Sequence, residues 1–383
     1  MAIRFEILGR SSENNARIGR VQTPHGVFDT PAFMPVATAA AMKGLTPEQV
    51  KSTGSQILLN NTLHCMLRPG SERIAAFGSS HTFMRWHGPI LTDSGGFQAF
   101  SMADLRTLDD DGVTFRSFVD GALVRMTPEI SMRAQNQIGA DIIMAFDDCP
   151  PAAADVPQQR VEQAVQRSVA WLQRCKVAHT DTQRQSLFGI VQGGTDCALR
   201  KQSVEQTCAI ELPGYAIGGV AVGESANAIA DVVQFTTPLL PVDRPRYLMG
   251  VGYPRDIVMA VAAGVDMFDC VLPTRNGRNA LAFTRAGPLR LRNARWALDQ
   301  NPIESDCDCS TCANGLSRGY LRHLFSAGEM LGPTLVSLHN LRLYQRLMLD
   351  IRRAIVCNAW SSLRSDWPCL SAADPEPNGE ESE

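Results

Sequence analysis

Three aspartates stand where short apolar runs stop: Asp93 after Pro89–Thr92, Asp147 after Asp141–Phe146 and Asp269 after Val265–Phe268. Two carboxylates at one carbon can divide nucleophilic attack and proton transfer between them, the logic of configuration-retaining glycosyl transfer. Gln192 follows a similar run, Leu187–Val191, and adds an amide that both donates and accepts. Ser94, Cys149, Gly218, Gly219 and Gly250 fall at equivalent places. Taken singly, such residues merely end strands, because Asp, Asn and Gly suit turn geometry. Three carboxylates and a glutamine at matching ends of successive runs predict one shared polar pocket.

A second constellation is Cys307-Asp-Cys309-Ser-Thr-Cys312, three thiols within six residues of a chain whose other cysteines, such as Cys65, Cys175, Cys208 and Cys357, are scattered singly. That pattern predicts a structural zinc site, one ion per subunit, rather than a disulfide framework. His339, in the helix-like stretch Thr334–Tyr344, can close it; on spacing alone His323 is the alternative fourth ligand. Either completes a tetrahedral set with no position open for water. Zinc centres of base deaminases need that open position and a Glu in His-x-Glu, a motif absent from this sequence. The ion is expected to hold the fold and to take no part in the chemistry.

These residues need a scaffold that brings strand ends together. Eight apolar runs succeed one another: Phe33–Val36, Gln56–Asn60, Pro89–Thr92, Asp141–Phe146, Leu187–Val191, Tyr215–Gly218, Arg246–Gly250 and Val265–Phe268. Stretches of helical character separate them, such as Thr46-Pro47-Glu48-Gln49-Val50, where Thr46 can cap and Pro47 suits the first turn. Runs that are apolar throughout, such as Ile142–Phe146, mean cover on both faces, which is the condition of a parallel sheet wrapped by helices. Eight units predict an α/β fold, a (β/α)8 TIM barrel whose carboxyl-terminal rim carries the site, with an inserted C-terminal zinc-binding subdomain.

The expected organisation is an antiparallel N-terminal cap of the barrel (residues 1–30), a catalytic barrel (31–298) that includes a basic segment (270–298), a zinc subdomain (299–345), a helical segment (346–367) and an acidic, disordered tail (368–383). A chain of 383 residues with 44% hydrophobic content can fill a sizeable core. No apolar run is long enough for a membrane span, and Met1–Glu6 lacks the order of a secretory signal, so the cytoplasm is expected. Net charge is -3, yet 270–298 holds six arginines (Arg275, Arg278, Arg285, Arg290, Arg292, Arg295) and no acidic residue. Solvated faces mix signs, so this run predicts contact with a polyanion such as RNA.

Seven segments in order carry a resemblance. Leu91–Gln98, Met144–Cys149, Val191–Gly194, Gly218–Glu224, Tyr247–Gly252, Asp266–Arg275 and the cysteine box resemble the successive signatures of the tRNA-guanine transglycosylases, over nearly the whole chain except the acidic tail. The resemblance implies a bacterial-type enzyme that exchanges the wobble guanine of tRNAs with GUN anticodons (Asp, Asn, His, Tyr) for 7-aminomethyl-7-deazaguanine, in queuosine biosynthesis. It implies Asp269 as nucleophile on ribose C1′ and Asp93 as general acid/base. The residue types by themselves leave open which of the two attacks.

In that family's pattern Asp147 accepts from the guanine N1–H and amine, Gln192 and the Gly219 N–H donate to O6, and Phe97 and Met249 sandwich the base. Ser94, Cys149, Gly218, Val220 and Gly250 complete the implied base site, with the Val220 carbonyl on the incoming ammonium. Arg275 and Arg278 would read neighbouring nucleotides, Cys307, Cys309, Cys312 and His339 would hold zinc, and a homodimer is implied. The sequence departs from the pattern at Phe97 (often Tyr), at Asp148 (often Glu) and in 313–317, one residue longer than expected, which bears on dimer contacts from Tyr320 and His323.

Overall fold

The computed structural model describes residues 2–97, 104–152 and 156–371. Eight strands, Ala32–Ala37, Leu58–Asn60, Ile90–Thr92, Ile142–Met144, Ser186–Val191, Gly214–Ile217, Arg246–Leu248 and Met267–Cys270, pair with their successors into a closed barrel. All eight pairings are parallel, and Met267 beside Ala32 and Phe268 beside Phe33 close the ring. Each strand coincides with an apolar run read from the sequence, with ends displaced by at most two residues. Strand ends are set by where hydrogen bonding stops, whereas an apolar run continues into any covered loop.

The helices between strands start where the sequence supplies caps. Thr46 and Gln49 form a reciprocal capping box on Pro47–Ser52, with Gln49 N–H on Thr46 Oγ1 (3.2 Å) and Thr46 N–H on Gln49 Oε1 (2.9 Å). Pro128–Ile138, Gln158–Ala178, Cys197–Cys208, Ala226–Thr236 and Pro254–Ala263 follow their strands in turn. Inside the barrel Met34, Leu59, Leu91, Ile142, Met144, Phe188, Ile190, Tyr247 and Met267 form a buried cluster. Full burial of each apolar side chain is worth about 1.5–3 kcal/mol.

Three antiparallel strands, Arg4–Arg10, Arg17–Thr23 and Gly26–Thr30, plug the floor by adding Ile3, Val21 and Phe28 to that cluster. Polar latches fix the plug. The Ile3 N–H donates to Ser186 Oγ (3.1 Å), and Asp141, at the foot of the fourth barrel strand, takes His25 Nδ1 (2.8 Å), His81 Nε2 (3.0 Å) and the Ile90 N–H (2.9 Å). Fully buried Arg17 grips Asp266 through Nε (2.8 Å) and Nη2 (2.6 Å).

Between the third barrel strand and its helix lies a three-stranded antiparallel sheet, Asp104–Asp109, Gly112–Arg116 and Leu123–Met126, which the sequence reading did not anticipate. Its strands alternate, with Val113 and Phe115 buried and Arg116 exposed, so a search for continuous apolar runs passes over them.

After the eighth strand come the helix Leu272–Arg278, a two-residue ribbon pairing Leu281–Ala282 with Leu289–Arg290, and the helices Ser310–Ala313 and Arg318–Ser326. A 27-residue helix, Leu331–Cys357, then returns to the barrel. Tyr344 lies 4.7 Å from the Phe33 ring, Gln345 Nε2 donates to the Phe33 carbonyl (3.2 Å) and Arg352 donates to the Pro31 carbonyl (2.6 Å). This is the eighth barrel helix, so the cysteine-bearing subdomain is inserted between the eighth strand and its helix. The expected boundary at 345/346 falls inside that helix, whose first half serves the subdomain and whose second half covers the barrel. Pro368–Ser371, expected in the tail, forms a 3-10 turn with Leu370 buried; the rest of the tail, 372–383, lies outside the described residues. Among the described residues no helix is long and apolar enough to cross a membrane.

Candidate active site

Strand alternation aims the key side chains. Met267 points into the barrel, so Asp269, two residues on, does the same at the rim, and Tyr247 with Met249 repeats the relation one strand earlier. Tyr247 Oη donates to Asp269 Oδ1 (2.5 Å), joined by the Gly250 N–H (2.9 Å). Among the described residues nothing donates to Oδ2, which is left as a bare oxygen at the barrel mouth. Burial pushes the Asp269 carboxyl above its ordinary range, and the two donors to Oδ1 oppose that rise.

Asp93 follows the third strand immediately and is more tightly held. Oδ1 accepts from the backbone N–H of Thr62 (2.7 Å) and of Gly95 (3.1 Å), and Oδ2 accepts from Asn61 Nδ2. Gly95 is in the left-handed region, φ +78°, where a side chain would also meet the Leu63 backbone. Burial is the main reason that the Asp93 carboxyl rises to about 7; the Asp269 and Asp147 charges add to it and the backbone donors resist it. Asp93 therefore feels both other carboxylates across one cavity and changes protonation near neutrality.

Asp147, Gln192, Ser94 and Cys149 form the opposite wall, all buried. Ser94 Oγ donates to Asp147 Oδ1 (3.1 Å) and Gln192 Nε2 to Oδ2 (2.7 Å). Burial lifts the Asp147 carboxyl to about 6 against those two bonds. Burial and the Asp147 charge push the Cys149 thiol up to about 12, so it stays protonated beside Gln192 and the Gly219 N–H. The Gln192 Oε1 is buried and has no partner among the described residues, as expected of a group placed for a ligand. Asp148 turns away, held by Arg160 Nη1 (2.8 Å) and Arg167 Nη1 (2.6 Å), and anchors the loop instead of lining the pocket.

Gly218 and Gly219 close the pocket with buried Val220, Met249 is half-buried at the mouth, Gly250 is exposed there and Phe97 is 43% exposed on the rim. Phe97 ends the first described stretch; Gln98, next in its motif, lies outside the described residues. Arg275 and Arg278 sit on Leu272–Arg278, directly after the Asp269 strand, with Arg275 exposed and Arg278 half-buried. The arginine run is not one uniform patch: Arg285 pairs with Asp306 (3.2 Å) and lies over Trp367 (5.3 Å), while Arg292 lies over Phe325 (5.6 Å).

Sequence reasoning missed Tyr247 and Arg200. Only the position of Tyr247, two residues before the Met249 rim site, gives a signal. Arg200 has none, sharing the mixed polar and apolar buried face of Cys197–Cys208 with Leu199, Ser203, Val204 and Thr207.

The cysteine box forms a closed donor set. His339 Nδ1 stands 3.6, 3.6 and 3.4 Å from the sulfurs of Cys307, Cys309 and Cys312, all buried. Ligands about 2.3 Å (S) and about 2.0 Å (N) from a tetrahedral ion lie roughly 3.6 Å apart, so the four donors fit a metal ion. His339 Nε2 donates to the Phe283 carbonyl (2.7 Å), which fixes the tautomer that turns Nδ1 to the sulfurs. His323 is exposed and belongs to no such cluster. Within 313–317 the chain turns at Gly315, φ +69°, before Ser317 caps the next helix.

A family model described as Queuine tRNA-ribosyltransferase matches residues 12–368. A queuine tRNA-ribosyltransferase of Thermus thermophilus is 52% identical over 92% of this chain and 90% of the relative. That of Acetivibrio thermocellus is 49% identical over 93% and 94%, and that of Synechococcus elongatus 48% over 98% and 97%. The family match spans all eight barrel strands, and on matches of this extent the chain belongs to the queuine tRNA-ribosyltransferase family.

Proposed function

We propose that this chain is a tRNA-guanine transglycosylase that replaces the wobble guanine of tRNAs with GUN anticodons by 7-aminomethyl-7-deazaguanine through a covalent glycosyl-enzyme intermediate. The observation that carries it is the asymmetry of the two carboxylates: Asp269 Oδ1 is held by Tyr247 and Gly250 while Oδ2 takes no donor among the described residues, and Asp93 titrates near neutrality within reach of the Asp269 charge.

Asp269 Oδ2 attacks ribose C1′, the C1′–N9 bond breaks, and the departing guanine takes the Asp93 proton. The incoming base then gives its proton to the Asp93 carboxylate, attacks C1′ and breaks the ester to Asp269, so two inversions retain configuration. Asp147 and the Gln192 amide, which bond each other in the base-free pocket, part to hold the N1–H edge and O6. Phe97 and Met249 cover the faces of the base, the Val220 carbonyl takes the incoming ammonium, and Arg275 and Arg278 take the adjoining phosphates and bases. The Cys3His set holds one structural zinc ion, which ties the inserted subdomain to its helix and leaves no coordination site open. A cytoplasmic homodimer is the expected form.

Radiolabelled guanine should exchange into a guanine-anticodon tRNA. Asp269→Asn should abolish the RNA adduct that survives a denaturing gel, and Asp147→Asn should keep an adduct but weaken base binding. An adduct at full yield in Asp269→Asn would move the nucleophile to Asp93.

A further inference from the structure

The helix Cys197–Cys208 places an arginine behind the base pocket. Arg200 is fully buried, and its guanidinium reaches two loops at once: Nε donates to the Gly194 carbonyl (2.8 Å), Nη1 to those of Gly218 (2.7 Å) and Val191 (3.2 Å), and Nη2 to that of Gly219 (3.0 Å). Among the described residues no carboxylate bonds to it. A buried cation without a bonded anion is costly, and neutral donors could tie the same loops together.

What a cation adds follows from peptide geometry. In a planar trans peptide the C=O of one residue and the N–H of the next point in opposite directions. With the Gly218 and Gly219 carbonyls turned to Arg200, the N–H groups of Gly219 and Val220 face away from it. The Gly219 N–H lies beside the Cys149 sulfur, which belongs to the wall of the base pocket, so the side facing away from Arg200 is that pocket; a Cβ on Gly219 would crowd both Gln192 Oε1 (2.3 Å) and Arg200 Nη2 (3.3 Å), so the turn has no room for a side chain. Gly219 has φ +62°, a turn that lets consecutive peptides present carbonyls to one side. The same helix fixes Gln192 through Ser203 Oγ, which accepts the Gln192 N–H (3.0 Å). Burial lowers Arg200 only to about 10, so it remains charged at neutral pH.

We propose that Arg200 is a positioning residue: it aims the Gly219 and Val220 N–H groups at the base and, through those two peptides, lends positive charge to O6 of the guanine as it leaves. The inference rests on the transglycosylase reading. Breaking C1′–N9 puts negative charge on the departing base, and preoriented donors backed by a cation in a dry site hold it better there than in the neutral ground state.

The test compares full-length wild type, Arg200→Gln and Arg200→Lys for free-guanine affinity by calorimetry, tRNA affinity by gel shift, and kcat for guanine exchange. Arg200→Gln should weaken guanine at least about tenfold and lower kcat by about 10–100-fold, somewhat less than direct loss of an oxyanion donor, with tRNA affinity within about twofold. Arg200→Lys keeps the charge but cannot bridge four carbonyls; it should recover most of kcat while guanine binding stays at least about threefold weak. That second variant decides the matter if Arg200→Gln does not fold. Guanine affinity within twofold of wild type in either folded variant overturns the inference. Wild type that binds no guanine would instead overturn the transglycosylase reading itself.

Discussion

Replacing Asp93 by Asn separates its cost to the fold from its use. Its carboxyl is ordinary, at 3.8, in the unfolded chain and rises to about 7 in the folded one, chiefly through burial. At about 1.4 kcal/mol per pH unit, ionising it in place costs on the order of 4 kcal/mol. The folded-state pKa is the higher one, so this contribution to stability is fully present below pH about 4 and is lost as pH rises through about 7. Roughly 2.5 kcal/mol of the loss falls between pH 5 and pH 8. In Asp93→Asn the carbonyl still accepts from Thr62 and Gly95, but its amide faces the Asn61 amide, a donor-on-donor clash worth about 1–3 kcal/mol at every pH. Urea unfolding of both proteins at pH 5 and pH 8 should therefore show the variant gaining about 2.5 kcal/mol on wild type across that interval, whatever its offset, while guanine exchange is lost. A difference constant to within about 0.5 kcal/mol would mean that Asp93 is ionised throughout, and the poised acid/base would have to be given up.

Cys309→Ser should release the metal, from about one zinc per chain to near zero by elemental mass spectrometry, and cost at least about 3 kcal/mol, seen as a fall in Tm of about 4 °C or more; full metal content in the variant would refute the ligand set. Arg17→Met should cost about 3–5 kcal/mol in urea unfolding, because it leaves buried Asp266 without its cation. A loss under about 1 kcal/mol would show that the floor latch is dispensable.

The sequence by itself determined the barrel, the rim and the cysteine box. Each rests on local pattern: apolar runs mark strands covered on both faces, a residue that ends such a run must sit at a barrel rim, and three thiols in six residues can meet on one short turn. Asp93, Asp147, Gln192 and Asp269 were legible for that reason. Only tertiary structure decided which oxygen of Asp269 is held by Tyr247 and Gly250, that Asp148 faces Arg160 and Arg167 and not the pocket, that His339 and not His323 joins the thiols, and that Arg200 backs the glycine loops. Those outcomes depend on bonds between residues 12 to 27 positions apart in the chain, and no local period records them. The Leu331–Cys357 helix makes the same point: His339 meets the cysteine sulfurs while Tyr344, on the same helix, meets Phe33 of the barrel.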